Sequence, residues 1–205
     1  MKNKNKITGP EIRIFESRVE NRAVDSRKIE GIAAKSNSLS RTLYGWFKEI
    51  IDPGAFEGAD MSDVVCLKNH NQDLILARTI AGTLDLGVND DGDLTYSFES
   101  PNTTVGNDLL EEVRLGNIQH SSFAFEVAED RWEEDSEGNE IRHIVKFRKI
   151  HDVSPVVNPA YLQTSVDARN MEIIEQSRQR TTVPKDDYEV DLLGEEIRIK
   201  RLIST

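Results

Sequence analysis

The chain has 205 residues, 26 Lys+Arg against 37 Asp+Glu and a formal net charge of −11. That length suits one ample domain at roughly 150 residues per domain, the acidic balance argues against nucleic acid as the main partner, and the short apolar runs fall well below the ~20 residues of a membrane helix. The single cysteine, Cys66, allows neither an internal disulfide nor a cysteine zinc cluster, and the basic start has no apolar secretory segment, so the expectation is a soluble, cytosolic, non-membrane protein.

Residues 1–9 are polar and expected to fray. Glu11–Ser17 (EIRIFES) alternates Ile12 and Ile14 with charged residues and reads as a strand; Val19–Val24 does so less clearly. Lys28–Ala34 and Tyr44–Ile51 also read as strands, separated by the Ser/Asn-rich loop Ser36–Ser40. Asp52-Pro53-Gly54 predicts a turn, with Ala55-Phe56 opening a short helix. Val64–Leu67 is a short buried strand running into Asn69-His70. Leu74–Leu86 and Leu94–Glu99 flank Asn89-Asp90-Asp91-Gly92, a sequence suited to a hairpin.

Helical spacing is clearest over Thr103–Leu115, where Val105, Leu109, Leu110 and Val113 recur, Thr103 or Thr104 caps the start and Gly116 stands at the C′ position. Glu111 and Glu112 read there as a solvated face. Ile118–Val127 returns to a strand, the acidic stretch Glu133–Glu140 is a connection containing Gly138, and Arg142–Ile150 is another alternating strand. Val153–Tyr161 is broken by Pro155 and Pro159 and reads as an edge or a wandering extended segment. Met171–Arg180 is helix-like, Thr181–Thr205 is highly charged, and 166–205 reads as an appendage outside the core. Many short strands around one or two helices point to an α+β or mainly-β barrel or sandwich. Neither the βαβ alternation of a dinucleotide-binding fold nor a Gly-rich phosphate loop is present.

Four histidines, His70, His120, His143 and His151, show no metal-ligand spacing. His70 follows the apolar run Val64-Val65-Cys66-Leu67 in a polar loop end where an imidazole can face a cleft. Ser121 and Ser122 interrupt a strand whose interior favours branched or aromatic residues. Because neighbouring side chains point to opposite faces, burial of Phe123 and Phe125 puts Ser121 inward and Ser122 on the outer, accessible face; the bland alternative is two solvated serines at a strand edge. Trp46 and Trp132 read as packing and rim residues, and Cys66 as a buried inert thiol.

Five blocks, GIAAKSN, FKEIIDPGAF, LKNHNQDLILARTIAGTLDL, NDLLEEVRLGNIQHSSFAF and HDVSPVVNPAYLQTSV, stand in an order that resembles the prohead (procapsid) maturation serine proteases of tailed bacteriophages, distantly similar in fold to herpesvirus assemblin. The resemblance covers about Ile29 to Val166. It implies an α+β, mainly β fold: an assemblin-like closed or partly open β-barrel surrounded by a few helices. It divides the chain into an N-terminal tail and leading strand (1–27), a protease domain (28–166) and a charged, removable C-terminal appendage (167–205). By the family pattern the nucleophile is Ser122 in Ser122-Phe123-Ala124-Phe125, with Ala124 where Gly is common and Ser121 where an apolar residue is common. The base is His70, ahead of Leu76-Ala77-Arg78-Thr79. Asp152, in Asp152-Val153-Ser154, is the favoured third member, with His151 and His143 as alternatives because assemblin-like enzymes use a second histidine. Arg78 is a substrate or oxyanion candidate, its plainer role being a strand-surface cation. His120 shares the Ser122 face two residues away and is a cleft candidate.

The implied function is a serine endopeptidase of capsid maturation that cuts major capsid protein precursor and scaffold segments, and itself, inside the immature procapsid in the host cytoplasm. Self-association is a further expected partnership; no metal, cofactor, nucleic acid or membrane is called for. The alternative is a catalytically silent capsid-assembly or scaffold-binding protein on the same fold.

Overall fold

Alternation decides most of the architecture. The computed structural model describes residues 10–15, 19–21, 26–157, 173–179, 188–193 and 196–201. In chain order, the elements are β1 (Glu11–Phe15), β2 (Val19–Glu20), β3 (Lys28–Ala34), β4 (Phe47–Ile51), β5 (Val65–Lys68), β6 (Asn71–Arg78), β7 (Leu84–Val88), β8 (Leu94–Glu99), α1 (Thr104–Arg114), β9 (His120–Glu134) and β10 (Glu140–Val156). Beyond these lie a helix over 173–179, α2, and the antiparallel hairpin β11 (Tyr188–Leu193) and β12 (Glu196–Arg201). One sheet runs β1-β9-β10-β5-β6, with β4 also on β10; the other runs β2-β3-β8-β7. The result is mainly β, with a curled half-barrel sheet, as the α+β reading expected.

The two sheets enclose one apolar core. Ile29 and Ala33 of β3, Tyr96 and Phe98 of β8, Phe123 and Phe125 of β9, Ile144, Phe147, Ile150 and Val153 of β10, and Leu109 and Leu110 of α1 are all buried in it. Phe123, Phe125 and Phe147 meet as stacked and edge-to-face rings, an arrangement favoured by the ring quadrupoles. Helix α1 starts where the Thr103 side chain accepts the Gly106 N–H at 3.2 Å, and ends ahead of Gly116, whose φ of 74° closes the C-terminus.

At the centre is the long antiparallel pair β9–β10, turned at Asp135–Asn139, where the Asp135 carboxylate accepts the Glu137 and Asn139 N–H groups. Its register sets Ser122 opposite Ser154 and Ala124 opposite Asp152. Directly opposed residues share a sheet face, so Ser122, Ser154 and Asp152 project to one side while Phe123 and Val153 project into the core.

Several expectations are corrected. Ala55-Phe56 opens no helix: successive four-residue turns run from Asp52 to Ala59, and left-handed Gly54 (φ 80°) and Gly58 (φ 78°) prevent propagation. Leu74–Leu86 is two strands, β6 and β7, split by a 3-10 turn at Thr79–Ala81 and by left-handed Gly82. Strand β9 runs past Val127 to Glu134. Val153–Val156 is no edge but the end of central β10, and Pro155 sits inside it. Pairing with β5 ends at Val153, so the missing proline N–H falls where β10 has run out of its second partner. Glu112 is not simply solvated; it pairs with Lys68 Nζ at 2.6 Å, tying α1 to β5. Residues 1–9, Pro159 and residues 22–24 of the Val19–Val24 segment lie outside the described residues.

Within the region read as an appendage, α2 buries Ile173 and Ile174. Trp132 Nε1 donates to Ser177 Oγ at 3.0 Å, and the Arg178 guanidinium lies 5.7 Å from the Trp46 ring centroid. Trp46 and Trp132 stack 5.6 Å apart and are the packing residues the sequence suggested.

Candidate active site

The β5–β6 hairpin turns on two residues, Asn69 and His70, both with positive φ (54° and 56°). Such a turn suits the twist of paired strands, but for a residue other than Gly or Asn it costs about 1–2 kcal/mol. Three hydrogen bonds to the end of β10 hold the strained backbone. Asn69 N–H donates to Pro155 O (3.1 Å), Val157 N–H to Asn69 Oδ1 (3.1 Å) and His70 N–H to Ser154 Oγ (3.3 Å). The turn thereby aims the imidazole over the outer face of β9 and β10.

There, His70 Nε2 lies 2.5 Å from Ser122 Oγ and His70 Nδ1 2.6 Å from Asp152 Oδ1. An ionised carboxylate only accepts hydrogen bonds, so the Nδ1 proton faces Asp152 and Nε2 is left to accept from the serine. Ser154 Oγ joins the same junction, donating to Asp152 Oδ1 at 3.0 Å and lying 3.3 Å from Nδ1.

Ser122 itself is corrected in one respect. Its side chain points away from the phenylalanines, as the alternation required, yet it is fully buried rather than accessible. β1 pairs antiparallel with β9, Ile14 opposite Ser122, and the Arg13 carbonyl accepts from Ser122 Oγ at 2.9 Å. The single hydroxyl proton therefore has two acceptors within reach, His70 Nε2 and the Arg13 carbonyl. Ser121 points inward and bonds the buried Tyr96 hydroxyl at 2.8 Å.

A cluster of buried charges fastens β1 beside the serine. Arg13 bonds Glu49 Oε1 at 2.8 Å, Arg142 bonds Glu11 Oε2 at 2.6 Å, and Arg142 Nε donates to Asp130 at 2.7 Å. Burial pushes the Glu11 carboxyl up, but the charges of Arg142 and Arg13 and their hydrogen bonds outweigh it and hold it below the ordinary value.

A hydroxyl, an imidazole and a carboxylate in series are the parts of a nucleophilic hydrolase. The family model for the caudovirus prohead serine protease matches residues 15–178, which contain the whole series. The chain belongs to the caudovirus prohead serine proteases. The family supplies the general assignment, a serine protease of phage capsid maturation. Comparison with curated proteins and with solved structures gives no match.

In this prohead protease Arg78, His143 and His151 are paired with acidic residues other than Asp152. Arg78 makes a two-pronged pair with Asp63, both bonds 2.7 Å, on the protein surface. His143 lies between Asp52 (2.6 Å) and Glu133 (3.0 Å), and His151 bonds Glu126 at 3.0 Å; the group against His70 Nδ1 is Asp152. His120 opens β9 opposite Val156. Cys66 is fully buried, and burial, then the nearby Asp152 charge, push its thiol well above the ordinary range, which leaves it inert. Two participants went unnoticed in the sequence. Ser154 carried a legible signal, two residues from Asp152 and hence on its strand face. The Arg13 carbonyl carried none, because a backbone oxygen has no sequence signature.

Proposed function

We propose that the chain is an endopeptidase in which Ser122 attacks the scissile carbonyl, His70 is the general base and Asp152 holds the imidazole. The observation that carries this reading is the unbroken series Ser122 Oγ–His70 Nε2 (2.5 Å) and His70 Nδ1–Asp152 (2.6 Å). As Oγ bonds to the carbonyl carbon, its proton passes to Nε2, and Asp152 compensates the imidazolium without taking a proton. Nε2–H then protonates the leaving amine as the peptide C–N bond breaks, leaving an acyl-serine. Water, deprotonated by the same Nε2, releases the acid and restores the hydroxyl.

Its substrates are segments of the major capsid protein precursor and scaffold inside the immature procapsid, together with its own charged region 167–205, which follows a protease domain at 28–166. Family membership supports the capsid setting. Mass spectrometry of purified wild type beside Ser122→Ala tests self-processing: a shortened C-terminus in wild type alone is expected, and identical full-length masses refute it. Co-expression with the cognate capsid precursor tests the rest, with shortening expected for wild type and lost in both Ser122→Ala and His70→Ala.

A further inference from the structure

We propose that Ser154 is the positioning residue of this site, fixing both the Asp152 carboxylate and the His70 backbone so that Nε2 stays aimed at Ser122. This rests on the Ser122–His70–Asp152 reading above. Ser154 is fully buried, and its one hydroxyl sits where three groups meet. Its proton goes to Asp152 Oδ1 at 3.0 Å; its lone pairs face the His70 backbone N–H at 3.3 Å and Nδ1 at 3.3 Å. One assignment of hydrogens satisfies all of these at once: O–H toward the carboxylate, and both His70 donors toward oxygen. While the hydroxyl's proton is committed to the carboxylate, Nδ1 faces the Asp152 oxygen at 2.6 Å and a Ser154 lone pair, both of which favour a proton on Nδ1, so the hydroxyl helps keep Nε2 free to accept.

The fold explains why a serine can do this. Ser154 stands directly across from Ser122 in the β9–β10 register, and Asp152 is two residues back on the same face. The nucleophile, the carboxylate and the positioning hydroxyl thus share one rigid pair of strands, while His70 arrives from a separate hairpin whose two turn residues both have positive φ. A turn so strained keeps its conformation only where surrounding bonds over-determine it. Asn69 is secured by Pro155 O and the Val157 N–H; the His70 N–H is secured by Ser154. Ser154 touches neither the reacting carbonyl nor the transferring proton, so its effect is exerted through His70 and Asp152.

The test compares full-length wild type, Ser154→Ala, Ser154→Thr and His70→Ala. One readout is the rate of fluorophosphonate attachment to Ser122, followed by mass spectrometry. The other is the proton NMR signal of His70 Nδ1–H, assigned by its absence from His70→Ala. Losing hydrogen bonds to a charged partner slows the step by about tenfold or more. Ser154→Ala, still folded by circular dichroism, is therefore expected to label about tenfold more slowly, with a weakened and shifted Nδ1–H signal. Ser154→Thr, which keeps the hydroxyl, restores both. Should alanine collapse the site, Ser154→Cys, nearly isosteric but a poor donor, gives the same two readouts. Wild-type labelling and an unchanged signal in Ser154→Ala, beside an inert His70→Ala, overturn the role of Ser154 and leave the triad standing. Labelling of His70→Ala at the wild-type rate overturns the triad itself.

Discussion

At the residue scale, the site depends on which atoms face His70. Nδ1 meets a carboxylate and Nε2 meets a hydroxyl, so the imidazole can take one proton and have its new charge matched on the far side. Asp152→Asn keeps the shape but turns the ring toward the wrong tautomer, and turnover of the capsid precursor is expected to fall roughly 10³–10⁴-fold with folding retained. His143→Ala and His151→Ala, whose partners are Asp52, Glu133 and Arg131 for the first and Glu126 for the second, should leave precursor turnover near wild type. A loss in either as deep as that of Asp152→Asn would reassign the third member. His70, Ser122 and Asp152, which the family resemblance singled out, are side chains that the structure brings together, so their proximity was legible in the motifs. Closure over Ser122 was not, because it depends on a main-chain oxygen 109 residues away.

At the scale of elements, buried charge ties β1 to its neighbours. Glu49 meets Arg13 at 2.8 Å and Arg142 at 3.2 Å, all three side chains buried. Glu49→Ala leaves two buried guanidinium groups short of a partner, a change expected to cost about 3–5 kcal/mol in urea unfolding. Asp63→Ala, which removes only the exposed partner of Arg78, should leave the urea midpoint unchanged. In β3, a Cβ at Gly31 would lie 2.6 Å from the Tyr96 ring, so Gly31→Ala is expected to displace the ring, break its bond to Ser121 and lower stability by about 1–3 kcal/mol. Strand β3 and helix α1 were readable with their bounds because their signals are self-contained: alternation in one, a cap, an apolar face and a closing glycine in the other. The reach of β10 through Pro155 was not, since proline marks an end unless one knows that β5 has already stopped pairing. Nor could alternation tell that β9 continues to Glu134, because its partner on β10 is fixed only by the fold.

At the scale of the whole molecule, the buried charges cancel. Glu11 and Glu49 are buried against Arg13 and Arg142, two carboxylates against two guanidinium groups, so the net charge of −11 lies outside the cluster that seats the leading strand. The Glu11 carboxyl titrates below its ordinary value of 4.5 in the fold. A depressed folded-state pKa gives stability that is present above the unfolded value and lost as pH falls through the folded one. The urea midpoint is therefore expected to hold down to the ordinary carboxylate range and drop below it. Glu11→Gln should lower the midpoint at neutral pH and flatten that acid-side drop; an equally steep drop in the variant would place its cause elsewhere. The acidic exterior is compatible with the proposed confinement of this protease with its protein substrates. The most direct measurement of its central chemistry is the mass of the cognate capsid precursor after co-expression with wild type, Ser122→Ala or His70→Ala. Shortening by wild type alone is the expected result, and a precursor shortened equally by all three would contradict the assignment of Ser122 and His70.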